Sequence, residues 1–344
     1  MRMKLHIQYI RIFAILMVML NHSDFCLSYY RNTDNIVTFF VSLFITCICG
    51  IGVPLFFMIT GALLIPKQES IEIIVKKRVS KIIIVLIVFS FILYNVLYFW
   101  GNKEEIRYSL SDFVQRLVTG NIQTSYWFLY EYIAILLSLP FLSILARNIS
   151  DELMKYLGKL AIVFLTIIPM VTYWMKDDLP INIPLITTSM FYVVVGYYIE
   201  NKISDKRLNE ISYMKLLGVI VGSIIIPVSY VLIEARISGE MKGNPSGITS
   251  ALIAVCTYLA IKKWNSKKIV SERWKRIIIE MGQCVFGVYL IERIGQKMFL
   301  KLYLYLCNKT FGVIACSIYV MSIYVFCFVM VYFLRKNKII KKLI

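Results

Sequence analysis

Apolar residues run in long blocks along this chain, and short polar stretches separate them. Ten blocks have the length and character of membrane spans, each needing about 20 apolar residues. They cover 7–28, 36–65, 82–100, 126–145, 157–175, 183–199, 214–233, 247–261, 277–300 and 311–334. The second block is long for one helix, and Gly50, Gly52 and Pro54 interrupt it. A kinked or broken helix is therefore expected there, which is tolerated where freed backbone groups line a cavity or meet neighbouring helices. Residues 101–125 form a longer loop of mixed charge, with Tyr108, Phe113 and Leu117 at roughly helical spacing, which predicts a short interfacial helix. There is no internal repeat and no low-complexity tract. The pattern predicts an all-α, polytopic bundle of about ten transmembrane helices. It also predicts one membrane domain over 1–344, with no appended soluble domain expected.

Composition agrees. Hydrophobic residues make up 59% of the 344, charged residues 17%, and the mean hydropathy is +0.73. A soluble domain is less apolar and more charged. The net charge of +18 does not indicate nucleic acid, because the basic residues sit in short stretches between apolar blocks. With the N-terminus inside, the segments 1–11, 66–81, 147–159, 201–215, 262–276 and 335–344 face the cytoplasm and hold 27 of the 38 Lys and Arg. That asymmetry puts both termini in the cytoplasm. The N-terminus has the basic start and apolar run of a signal peptide but no A-x-A site, so it reads as a retained first span. The eight cysteines fall mostly in apolar runs without a C-x2-C pair, so metal sites and a disulfide framework are not implied.

Arg11 and His22 change the picture. Eleven steps of about 100° bring them onto one face of the first helix, roughly 16 Å apart along its axis. Two ionisable groups on one membrane stripe suggest a functional site; a snorkelling arginine and an interfacial histidine would satisfy the same pattern. By the charge count Arg11 lies near the inner surface and His22 towards the outer one. The other histidine, His6, reads as a solvated or headgroup residue on the inner flank. Asp24 points to another face on a continuous helix and reads as a solvated helix end. Glu131, Glu292 and Arg293 are further intramembrane charges that either pair structurally or line a cavity. Trp127 and Tyr130 suit stacking on a sugar ring and suit an interfacial aromatic belt equally. No P-loop, G-x-S-x-G elbow, H-E-x-x-H or dinucleotide fingerprint stands in a supporting context.

Several runs together resemble the membrane-bound acyltransferase-3 family, whose members O-acylate sugars, peptidoglycan and related envelope molecules. The hallmark basic residue, ten residues, then histidine is Arg11 and His22. The run Val53-PLFFMITGAL-Leu64 is similar to the family's phenylalanine-rich run ending in Ser-Gly, with Thr60-Gly61 here. The family's Arg-x-x-Arg is matched by Arg78-Val-Ser-Lys81, where lysine keeps charge but loses the bidentate fork. Tyr126-Trp127-Phe128-Leu129-Tyr130, Gly196-Tyr197-Tyr198 and Phe286-Gly-Val-Tyr-Leu-Ile-Glu292 resemble further family runs, with Glu292 where many relatives have histidine.

The resemblance implies an integral-membrane O-acyltransferase of the class that transfers groups other than amino-acyl groups, and an acetyl group above all. Acyl-coenzyme A, acetyl-CoA in particular, would be the donor, its phosphates held by Arg11, Arg78 and Lys81. Its pantetheine arm would extend towards His22, the general base. The acceptor would be a hydroxyl of a cell-envelope or exported glycan, with Trp127, Tyr130, Glu131 and Glu292 as substrate-binding candidates. No metal, cofactor beyond the donor, or nucleic acid is implied, and the setting would be a bacterial cytoplasmic membrane. A transporter or flippase for a polar solute or lipid-linked glycan is the alternative. It needs no coenzyme A phosphate site, and the chain lacks duplicated halves.

Overall fold

The computed structural model describes residues 4–23, 35–100, 108–175, 187–238, 249–266, 268–307, 309–310 and 312–344. Among them the chain is helical, with no strand. Helix α1 is Leu5–Asn21. The second apolar block is two helices, α2 (Ile36–Cys49) and α3 (Gly52–Leu64), and the break falls at Gly50 and Ile51 as the glycines and proline predict. A turn through Gln68, in the left-handed region at φ 49°, leads into α4 (Ile71–Trp100). The basic segment expected to precede the third span is instead the first turns of this helix. Residues Ile74–Val79 form a π-turn carrying Lys76, Lys77 and Arg78, a local underwinding often found at functional sites.

A short helix does occupy the loop where one was expected: α5 (Leu110–Val118), capped by Ser109. Its exposed Leu110, Val114 and Val118 share one side. Then come α6 (Trp127–Asn148), α7 (151–175), α8 (Thr188–Asn201), α9 (Asp205–Glu210), α10 (Tyr213–Ser238) and α11 (Ser250–Ser266). The chain closes with α12 (Glu272–Cys307), α13 (Gly312–Leu334) and α14 (Lys338–Leu343). Each of the ten predicted blocks holds helix. Five helical stretches are long and apolar enough to cross a membrane: Ile36–Lys67, Ile71–Trp100, Thr124–Asn148, Tyr213–Ile237 and Gly312–Leu334. The outward faces are apolar, with Phe91 on α4, Phe141 on α6 and Val325 on α13 more than half exposed. Faces of this kind suit lipid rather than water. The chain is a multi-pass membrane protein.

Helix α1 is central and packs on α12, α3, α11, α2 and α13. Helices α3 and α8 cross at mutual glycines. A Cβ at Gly61 would stand 1.8 Å from the Val193 carbonyl oxygen, and one at Gly196 would stand 2.0 Å from that of Met58. The Thr60-Gly61 and Gly196-Tyr197 runs are thus two halves of one small-residue crossing, which lets the backbones touch.

Contacts between the Lys/Arg-rich segments gather them at one end of the bundle. Lys4 Nζ meets Glu200 at 2.6 Å, and Lys262 Nζ donates to the Ile199 carbonyl at 2.7 Å. Arg207 pairs with Asp151 at 2.6 Å, and Arg335 donates to the carbonyls of Gln283 at 3.1 Å and Ile344 at 2.6 Å. His6, expected to be solvated, is buried in this end and bonds Glu200 at 3.1 Å. The Glu200 charge, among three helices, is held there by several partners at once: Lys4, His6, Tyr258 and Lys262. At the opposite end, Cys316 near the start of α13 is disulfide-bonded, where the sequence implied no disulfide. Among the described residues, Cys47, Cys49, Cys256, Cys284 and Cys327 are free thiols. A disulfide suits the oxidising side of a membrane, opposite the basic end.

Candidate active site

Arg11, Val18 and His22 recur on α1 at steps of seven and four, so one stripe of the helix faces one way. That stripe forms a wall of a cavity of about 340 Å³. The other walls are Val53, Phe56, Ile59 and Thr60 of α3, and Lys77, Arg78, Lys81 and Ile82 of α4. Trp127, Phe128, Tyr132 and Leu136 of α6 and the Gly282–Tyr289 face of α12 complete them. Gly282 lies directly against Gln8, so α1 and α12 approach closely beside Arg11. The cavity is basic at one end, apolar and aromatic along its length, and holds His22, Ser125 and Trp127 at the other.

At the basic end, Arg11 bonds only the amide oxygen of Gln8, at 3.4 Å, and has no carboxylate partner among the described residues. Arg78 presents two guanidinium nitrogens to the two carboxylate oxygens of Glu69. The hydrogen bond from Arg78 holds the Glu69 carboxyl below the usual carboxylate range, with the nearby Lys67 and Lys77 adding to the effect. Lys77 and Lys81 line the same mouth, and Ile344 packs at its edge. Four cations at one mouth against the single acid Glu69 make this end strongly electropositive. Tyr132, half-buried, lies near both Arg11 and Arg78 and shares a hydrogen bond with Thr60.

At the other end, α1 closes in a tightened turn: the His22 backbone N–H donates to the Val18 carbonyl at 2.9 Å and the Ser23 N–H to the Leu20 carbonyl at 3.0 Å. The ring Nδ1 lies 3.1 and 3.2 Å from the two carboxylate oxygens of Glu292, on α12. The Glu292 side chain is only 4% exposed. Gln296, one turn on, donates to Glu292 Oε1 at 3.0 Å and to the His22 carbonyl at 3.4 Å. Its own amide oxygen accepts from Arg293 at 2.9 Å, and its carbonyl accepts from the Tyr319 hydroxyl at 3.1 Å. With Nδ1–H donating to the carboxylate, the basic lone pair of the imidazole is on Nε2. Two tyrosines clamp the start of α6 onto α12: Tyr289 donates to the Ser125 carbonyl at 2.6 Å and Tyr126 to the Leu290 carbonyl at 2.7 Å. This holds Ser125 and Trp127 at the His22 end.

The sequence candidates separate. Arg11, Arg78, Lys81, His22 and Trp127 share the cavity. Glu292 is bonded to His22 rather than lining the cavity. Tyr130 turns away and donates its hydroxyl to the Leu117 carbonyl, tying α6 to α5. Glu131, half-buried, is not on the cavity wall. Asp24 lies outside the described residues. Tyr132, Lys77 and the Glu69–Arg78 pair went unnoticed in the sequence; Tyr132 is one turn beyond Phe128, so helical spacing from Trp127-Phe128 was the available signal. No group of three His, Cys, Asp or Glu that could hold a metal occurs among the described residues.

In comparisons with known proteins, a family model described as an acyltransferase domain matches residues 5–334. No curated protein and no solved structure matches the chain.

Proposed function

The chain belongs to the acyltransferase-3 family, and on that premise we propose that it is an integral-membrane O-acyltransferase using acyl-coenzyme A on its basic side. The acceptor is a hydroxyl on the His22 side, carried by a cell-envelope or exported glycan, and the group moved is acetyl. One observation supports this above all: a single cavity joins a cluster of cations to a carboxylate-bound histidine across the bundle.

The donor's phosphates fit the Arg11, Lys77, Arg78 and Lys81 mouth. Arg11 in particular is a membrane cation without a carboxylate among the described residues, and such a charge is costly until an anion meets it. Bound there, the donor supplies an activated acyl thioester. The apolar and aromatic walls between Phe56, Phe128 and Phe286 exclude water from its path. At the far end His22 Nε2 takes the proton of the acceptor hydroxyl, and Glu292 fixes the tautomer and stabilises the imidazolium that forms. Trp127, half-exposed at this mouth, offers a flat face for a sugar ring.

Membranes carrying His22→Ala are expected to lose acetyl transfer by about 10²- to 10⁴-fold, the range for a general base. Undiminished transfer would remove His22 from the chemistry. Mass spectrometry of envelope glycans with and without the protein is expected to reveal one missing acetyl group, which identifies the acceptor.

A further inference from the structure

Lys and Arg outside the six inner segments are unevenly distributed. The stretches 24–34, 101–125, 176–186 and 234–246 together hold seven basic and nine acidic residues. From 293 to 311 there are four basic residues, Arg293, Lys297, Lys301 and Lys309, and no acid. Positive charge is ordinarily depleted on the outer side, so an unbalanced cluster there runs against the rule that orders the rest of the chain.

The structure aligns these cations. Helix α12 continues past Gln296, which marks the level of His22 through its bond to the His22 carbonyl, for eleven more residues or about 16 Å. Arg293, Lys297 and Lys301 recur every fourth residue on it. At about 100° per residue, Arg293 and Lys297 fall within about 20° of Phe286, a residue of the cavity wall, and Lys301 about 60° round from it. The cavity-facing side of α12 therefore becomes a cationic stripe just beyond the His22 end. Arg293 and Lys301 are exposed and Lys297 is half-buried. No carboxylate pairs with any of the three among the described residues. Glu292, the nearest acid in sequence, is held by His22 and Gln296. Arg293 bonds Gln296, so the stripe begins one hydrogen bond from the histidine pair.

We propose that this stripe binds a phosphoryl group and that the hydroxyl acylated at His22 belongs to a phosphoryl-bearing acceptor delivered along it. The inference rests on the acceptor-side reading of the His22 mouth and adds the chemical class of the acceptor. Lysines spaced along a helix beside a membrane suit a phosphodiester or phosphomonoester better than a single carboxylate, since a tetrahedral phosphate accepts from several donors at once. The phosphate is carried either by the glycan itself or by a lipid at the outer leaflet.

The test uses the full chain in neutral detergent with two probes, sn-glycerol phosphate and short-chain phosphatidylglycerol, with binding followed by native mass spectrometry. Both, or either one, are expected to bind the wild type. Binding should weaken about thirtyfold in Lys297→Gln/Lys301→Gln, given the worth of two lysines at an anionic surface. Lys297→Arg/Lys301→Arg is expected to retain it. Glycerol phosphate binding marks a phosphate on the acceptor itself, and phosphatidylglycerol binding alone marks a lipid-carried one. If neither probe binds the wild type, or the glutamine variant binds as well as the wild type, the proposal is overturned. Coenzyme A binding is scored in the same samples. Its retention in the glutamine variant shows an intact fold, and its absence from the wild type removes the donor reading without touching the phosphate result. Should the glutamine variant misfold, salt titration of the wild type decides: phosphate binding insensitive to ionic strength contradicts a cationic site.

Discussion

Glu292 shows how much a single carboxylate can do when its partner is 270 residues away. A neutral histidine has two tautomers, and only one leaves its lone pair on Nε2; a carboxylate 3.1 Å from Nδ1 selects that one and would favour the cation formed in the proposed proton transfer. Glu292→Gln is therefore expected to lower kcat for acyl transfer about 10²-fold or more while leaving coenzyme A binding in place. Steady-state kinetics with a separate coenzyme A binding assay checks this, and an unchanged kcat removes Glu292 from its positioning role. At the basic mouth, the Arg78–Glu69 pair is mostly buried, with side chains 29% and 17% exposed, and is worth about 1 kcal/mol. Since the hydrogen bond from Arg78 lowers the folded pKa of Glu69, the pair contributes in full above the unfolded value of about 4.3 and is lost as pH falls through the lowered value. Glu69→Gln should melt below the wild type at neutral pH, and the gap should close at strongly acidic pH; a gap that is constant with pH contradicts the pairing. Arg11 and His22 were legible because they lie on one helix, where local periodicity fixes their shared face. Glu292 read only as a departure from the family's histidine, because its partner is set by the packing of α1 on α12, which no local pattern encodes.

At the scale of elements, the site depends on how closely helices approach. The crossing of α3 on α8 has no space for a side chain at Gly61 or Gly196, since the nearest atoms are backbone and cannot swing aside. Gly61→Ala should cost about 1–3 kcal/mol, as overpacking does, and should loosen the α3 wall of the cavity. Gly218→Ala on α10 is the control: nothing lies within 4 Å of its added Cβ, and alanine there is expected to be neutral or mildly stabilising. Thermal melts of both variants in detergent decide the matter, and equal melting temperatures contradict the crossing. The broken α2–α3 helix and the short α5 were readable from Gly50, Gly52 and Pro54 and from the spacing of Phe113 and Leu117. The π-turn in α4 was not, because its residues Ile74–Val79 have the composition of any basic helix start. The same turn converts what read as a cytoplasmic flank into a cavity wall, with Lys77 and Arg78 both lining the mouth.

As a whole molecule, the protein gathers its basic segments at one end and keeps a carboxylate-bound histidine towards the other, with one cavity between them. The alternation of apolar blocks made the helical membrane fold legible, and the Lys/Arg count assigned the basic end to the cytoplasm. The cavity itself was not legible, because it is made by five helices and by aromatic residues such as Phe128 and Tyr132 that look in sequence like ordinary membrane side chains. The proposed reading has a sided consequence: donor and acceptor never need to share a compartment. The most direct measurement reconstitutes the protein in sealed vesicles sorted by orientation and supplies labelled acetyl-CoA to one face and envelope glycan to the other. Label is expected on the glycan only when acetyl-CoA meets the face bearing Lys4 and Arg335 and the glycan meets the His22 face. Transfer that requires donor and acceptor on the same face would contradict a path through the bundle.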